Sequence, residues 1–232
     1  MRQLDRQPDT DSFTPSRTLL SGGSLRRPST YASGGSKMTV QMLISDDTPP
    51  LQASDTVEHA LGLLLEMRVR HLPVVDEAGN LVGLLSENML LDATGPDAPV
   101  SSLLGLAPIS VRPDTHLFDA TKIIVDHELT ALPVAHESGR YIGLLKRHNL
   151  FDQFARMLAT QESGAIIALE VGPRDYSLAQ LAHIVEQDGV KILSSAAEHT
   201  AAGEEDDTMR VTLKLNVMDT ARVRHLLEHY GY

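Results

Sequence analysis

The feature that most constrains this chain is an internal repeat at an offset of 60 residues. Ala60 aligns with Ala120, Leu72-Pro73-Val74 with Leu132-Pro133-Val134, and Glu77 and Gly79 with Glu137 and Gly139. Gly83-Leu84-Leu85 aligns with Gly143-Leu144-Leu145, and Leu90 with Leu150. A unit this short cannot cover its own apolar faces, so two copies in register must pack together. Just upstream, Asp55-Thr56 and Asp114-Thr115 correspond if one residue is inserted in the second copy.

Both copies follow one physical order. An Asp-Thr pair supplies a side-chain oxygen for an orphan N–H at a helix start. Apolar residues then recur at helical spacing: Val57, Ala60, Leu61 and Leu64, and in the second copy Leu117, Ala120 and Ile124. His71-Leu72-Pro73-Val74-Val75 predicts a buried strand with proline near its start. Turn residues follow at Asp76–Asn80 and His136–Arg140. Leu81–Leu85 predicts the returning strand, and Ser86–Leu91 a helix start. Each unit therefore reads β-α-β-β-α, an α+β arrangement.

This doubled pattern, Asp-Thr before a helix, then Leu-Pro-Val, then Gly-apolar-Leu, resembles the tandem CBS domain, a regulatory module, over about residues 38–155. The resemblance implies repeats at 38–97 and 98–155 related by a pseudo-twofold, and pairs that dimerise into a flat disc. It also implies a regulatory adenosyl ligand (AMP, ADP, ATP or S-adenosylmethionine) between the repeats as the expected cofactor-like partner. The family's ribose pattern, Gly-x-x-Thr/Ser-x-x-Asp, is partly kept. The first copy has Ser86 but Met89 in place of the acid, and the second has Lys146 in place of the hydroxyl and Asn149 in place of the acid. Basic residues before Leu-Pro-Val face phosphates in ligand-binding relatives; here they are Arg68, Arg70 and His71. The corresponding Glu128, Thr130 and Ala131 do not suit a phosphate, so the first cleft is the expected binding place. Two readings stay open. One is a sensor of an adenosyl ligand that signals to a protein partner. The other is a ligand-free dimerisation module with degenerate clefts. Arg68 and Arg70 have their own pair of readings: phosphate ligands, or a solvated helix end that complements the dipole.

The last third differs in pattern. Ala165–Val171 predicts a strand, and Ser177–Asp188 a helix with Leu178, Leu181, Ala182 and Val185 inward. Ser177 and Gln180 have capping-box spacing, and Gly189 is a stop. Val190–Thr200 predicts a second strand, and the alternation of Met209, Val211, Leu213, Leu215 and Val217 a third. Asp219 caps a last helix with Val223, Leu226, Leu227 and Tyr230 inward. This βαββα order over 164–232 resembles a ferredoxin-like ACT domain lacking its last strand, which implies a dimerisation unit with one open sheet edge. The turn Gly172-Pro173-Arg174-Asp175 lacks the family's glycine for an amino-acid ligand. A CBS pair followed by an ACT domain resembles the architecture of acetoin-utilisation accessory proteins.

Charge and composition narrow the function. The chain has no cysteine, which excludes disulfides, thiolate metal sites and a thiol nucleophile. Its formal charge of −11 argues against nucleic acid or an anionic membrane as partner. Residues 1–37 hold six basic against three acidic residues and are rich in Ser, Gly and Pro. They read as a disordered tail, or as an extension upstream of a start at Met38. No run approaches the length of a membrane span, and the expectation is a cytoplasmic protein. Glu204–Asp207 reads as a solvated acidic hairpin, and His225 and His229 as a solvated helix face. No phosphate loop, nucleophile elbow or His-Glu-x-x-His motif is present, so no enzyme is expected.

Overall fold

The computed structural model describes residues 38–105, 107–200 and 208–232. The tail over 1–37 and the acidic run over 204–207 lie outside the described residues. The first repeat comprises β1 (Leu51–Gln52), α1 (Val57–Met67), β2 (His71–Val75), β3 (Leu81–Ser86) and α2 (Glu87–Leu91). In the second, α3 (Leu117–Asp126), β4 (Ala131–Ala135), β5 (Tyr141–Lys146) and α4 (Arg147–Met157) follow a first strand reduced to one parallel bridge, Val111 to Val134. Strands β2 and β3 pair antiparallel with His71 opposite Ser86, and β4 and β5 repeat the register with Ala131 opposite Lys146. The two hairpin tips meet: Leu81 N–H donates to the Gly139 carbonyl and Tyr141 N–H to the Gly79 carbonyl.

The helix starts correct one expectation. Thr56 caps α1 by accepting from His59 N–H at 3.2 Å. In the second copy the cap is His116, not the Asp114-Thr115 pair: its Nδ1 accepts from Phe118 N–H at 3.2 Å. Thr115 instead accepts from Arg112 N–H and closes the preceding turn. The offset of 60 therefore holds through the cap, and no residue is inserted.

The repeats are bound by exchange of their entry segments. The turn Val40–Leu43 precedes the first repeat, yet Val40, Leu43 and Ile44 pack into the core of the second around Leu117, Leu132 and Leu145. Reciprocally, Val100, Leu103 and Leu104 pack into the first core around Leu64, Leu72 and Leu85. Val40 and Val100 are both fully buried, and each contributes about 1.5–3 kcal/mol by leaving water. Neither half can leave without opening the other's core. Glycines at equivalent positions make the room. A Cβ on Gly83 would meet the end of the Leu104 side chain, and one on Gly143 would meet Ile44 and the Ser45 carbonyl. Gly143→Ala is expected to destabilise the chain by about 1–3 kcal/mol through overpacking. Gly83→Ala should cost less, because only a flexible side-chain tip must yield. Urea unfolding measures both, and equal, negligible losses would contradict the exchanged packing.

The C-terminal unit comprises β6 (Ile166–Val171), α5 (Leu178–Glu186), β7 (Ile192–Thr200), β8 (Thr208–Leu215) and α6 (Ala221–His229). Its antiparallel sheet has the order β6-β8-β7. Val211, Leu213 and Leu215 of β8 meet Leu181, Ile184 and Val185 of α5 and Val223 and Leu227 of α6. Ser177 caps α5 through Gln180 N–H, and Asp219 accepts from Ala221 N–H before α6. Two expected core residues face outward instead: Leu178 in the first turn of α5 and Tyr230 past the end of α6, both more than 40% exposed. The fully buried residues are Leu181, Ile184 and Val185 of α5 and Val223 and Leu227 of α6. The unit joins the repeats where the Ser194 hydroxyl donates to the Leu158 carbonyl at 2.8 Å.

Candidate inter-repeat cleft

A cavity of about 520 Å³ opens between the repeats. One wall comes from the first copy: Arg70 and His71 at the start of β2, and Ser86, Glu87 and Asn88 where β3 passes into α2. The facing wall comes from the second copy: the end of α3 with Val125, His127 and Glu128, then Thr130, and Arg147 at the start of α4. The walls meet because Arg70 N–H donates to the Thr130 hydroxyl oxygen at 2.9 Å. In addition, Glu87 N–H is held by the Arg70 carbonyl and Arg147 N–H by the Thr130 carbonyl.

His71 sits at the back. Thr130 N–H donates to its Nδ1 at 3.3 Å, and the Thr130 hydroxyl lies 3.1 Å from the same nitrogen. A nitrogen that accepts a backbone N–H carries no hydrogen, so the ring is neutral and presents Nε2–H as a donor. Burial holds the His71 pKa below its ordinary value, and the charges of Arg70 and Arg147 lower it further. Arg70 and Arg147 both line the cavity. Arg70 is shared: its Nε donates to Glu87 at 2.8 Å in an exposed ion pair. The cavity thus holds two permanent cations, Arg70 and Arg147, together with the carboxylates of Glu87 and Glu128.

Of the seven residues the sequence singles out, the cavity gathers Arg70, His71 and Ser86. Ser86 caps α2 by accepting from Met89 N–H at 3.3 Å, which leaves its hydroxyl hydrogen free to donate. Arg68 ends α1 in the left-handed conformation with φ 52°, its side chain exposed. It does not line the cavity. Met89 points outward, and Asn88, one residue earlier, lines the wall. Lys146 is buried and ion-paired to Asp47 at 2.8 Å, away from this cavity, and Asn149 Nδ2 reaches the Leu43 carbonyl at 3.5 Å. Arg147, His127 and Glu87 were not foreseen. The signal for Arg147 was its place 60 residues after Glu87, a charge reversal at the same turn. His225 and His229 are exposed, and no group of three metal-ligating side chains occurs among the described residues.

The CBS domain model matches residues 40–95 and 100–156. The chloroplastic CBS domain-containing protein CBSX1 of Arabidopsis thaliana is 28% identical over 165 residues, 57% of this chain and 68% of that one. A homoserine O-acetyltransferase of Methanohalophilus mahii is 27% identical over 109 residues, 47% of this chain but only 23% of the enzyme. The solved structure of CBSX2 in complex with AMP is 30% identical in sequence and aligns over 51% of this chain and 96% of that one, with a TM-score of 0.46.

Proposed function

Residues 40–95 and 100–156 are a pair of CBS domains, and on that premise we propose that the protein is a non-catalytic regulator whose inter-repeat cleft binds an adenosyl ligand. The observation that carries this reading is the cleft itself. Its volume suits a nucleoside phosphate, and it brings Arg70, Arg147, the neutral His71 and the Ser86 hydroxyl to one space. Guanidinium groups match phosphate oxygens in fork geometry, while Ser86 and Asn88 offer neutral partners for a ribose. The AMP bound by the CBSX2 structure is the same class of ligand.

A second copy of the chain is the partner that the exposed apolar residues favour. Leu65 and Val125 are 78% and 66% exposed, and Leu91 and Phe151 are 65% and 73% exposed. Both couples stand 60 residues apart, so the two repeats present matched apolar points on helices or at their ends. Val125 also lines the cleft. A ligand there would touch the dimer face and bias one arrangement of two copies over another. The C-terminal unit, read as ACT-like, adds a second self-association element through the open edge of β6. No helix among the described residues is long and apolar enough to cross a membrane. In this reading the regulator works in the cytoplasm on a protein target, not on nucleic acid. The competing reading, a ligand-free dimerisation module, keeps the apolar face and leaves the cleft without a ligand.

Thermal unfolding separates them. AMP, ADP, ATP and S-adenosylmethionine are each added well above saturation. A ligand at about 100 times its dissociation constant adds roughly 2.7 kcal/mol of stability. A rise in midpoint with at least one of the four is expected. No rise with any leaves the dimerisation module.

A further inference from the structure

The pseudo-symmetry of the repeats defines a mate to the open cleft. An offset of 60 carries Arg70 and His71 onto Thr130 and Ala131, and Ser86 onto Lys146. The end of α3 is replaced in the same way by the end of α1. At this mate position the chain supplies its own polar filling. Lys146 is 5% exposed, and its Nζ lies 2.8 Å from Asp47 Oδ1. Asp47 reaches in from the segment before β1, where Ser45 bridges to Leu144 of β5. Asp47 also accepts from the hydroxyls of Ser45 and Thr48. Lys146 and the Ser45 hydroxyl together hold its carboxyl below the usual carboxylate range. Beside it the Tyr141 hydroxyl is buried without a hydrogen-bond partner, and burial and the Asp47 charge both push its pKa up. The positions 60 residues away from Lys146, Asp47 and Tyr141 are Ser86, Ala107 and Leu81, all uncharged, and of these Ser86 lines the open cleft.

A lysine so nearly buried is tolerated only when paired. Asp47, whose side chain is 66% exposed, keeps the other end of the pair hydrated. The pair therefore uses the space and the polar groups that a ligand would need. We propose that the Lys146–Asp47 ion pair is a built-in occupant of the second cleft, so that each chain takes one adenosyl ligand, at the Ser86 cleft.

The proposal rests on the ligand reading above, and the test keeps the two apart. AMP, and in parallel S-adenosylmethionine, is titrated calorimetrically into the full chain, with circular dichroism as the check on folding. The wild type is expected to bind one ligand per chain and Lys146→Ser two. Asp47→Ala is the second variant: it alters a largely exposed side chain and removes the partner without which the lysine does not stay buried. It frees the lysine to swing out and should give a second, weaker site. Combining Lys146→Ser with Arg70→Ala should leave the unmasked site as the tighter one. Two sites in the wild type, or one in every variant, overturns the masked cleft and leaves the ligand reading standing. No site in the wild type but one in Lys146→Ser keeps the masked cleft and overturns binding at the Ser86 cleft. No binding to any variant overturns both.

Discussion

Arg70→Ala is expected to weaken binding of AMP, ADP or ATP by about 10- to 150-fold while changing adenosine far less. A hydrogen bond to a charged group is worth about 1.5–3 kcal/mol, and each 1.4 kcal/mol is roughly tenfold in affinity. The Arg70 guanidinium borders the cavity but is shared with Glu87 at 2.8 Å. A phosphate must compete for it. Glu87→Gln removes the competitor and should therefore strengthen phosphate binding. The gain is limited to a few-fold, because an exposed ion pair holds only about 0.2–1 kcal/mol. Opposite signs from two neighbouring substitutions are hard to obtain from a general loss of structure. Calorimetric titration with AMP and adenosine measures both. Equal losses for nucleotide and nucleoside in Arg70→Ala would contradict a phosphate role.

Phe151→Glu is expected to weaken self-association by at least about 100-fold, moving the species seen by light scattering toward the 25.3 kDa single chain. Phe151 is 73% exposed at the position that Leu91 holds in the first repeat. Burying such a ring contributes about 1.5–3 kcal/mol, a twofold interface uses it twice, and a buried unpaired carboxylate adds its own penalty. Leu65→Glu, on α1, tests the same face independently. In an isolated chain both side chains stand in water, so neither change should disturb folding. An unchanged mass for both variants would contradict the dimer face.

The repeat was legible because its markers obey local physics. Leu-Pro-Val and Gly-Leu-Leu formed paired strands in both copies, with Pro73 opposite Leu84 and Pro133 opposite Leu144. Alternation along Met209–Leu215 marks β8 as a half-buried strand for the same reason, and Val211, Leu213 and Leu215 are its buried face. Less legible were features in which distant segments meet. The expected cleft lies between the repeats, but which residues of the second copy face the basic residues of the first is set by the fold, with Arg70 and His71 on one wall and His127, Glu128 and Thr130 on the other. Glu128 and Thr130, which do not suit a phosphate by themselves, face Arg70 across the same cavity. Lys146 reads in sequence as a polar residue at a helix start. Its burial follows from Asp47, about a hundred positions earlier, and no local pattern links the two. The core stripe of α6 was drawn too wide at Tyr230, which follows the helix end.

The account turns on whether an adenosyl ligand enters the Ser86 cleft, and amide resonances followed through a titration with AMP test that directly. The predicted result is saturable shifts at Arg70, His71, Glu87, Asn88, His127 and Thr130, with the Gly172–Ser177 turn of the C-terminal unit unmoved. Shifts confined to the C-terminal unit, or none at saturating AMP, would contradict it.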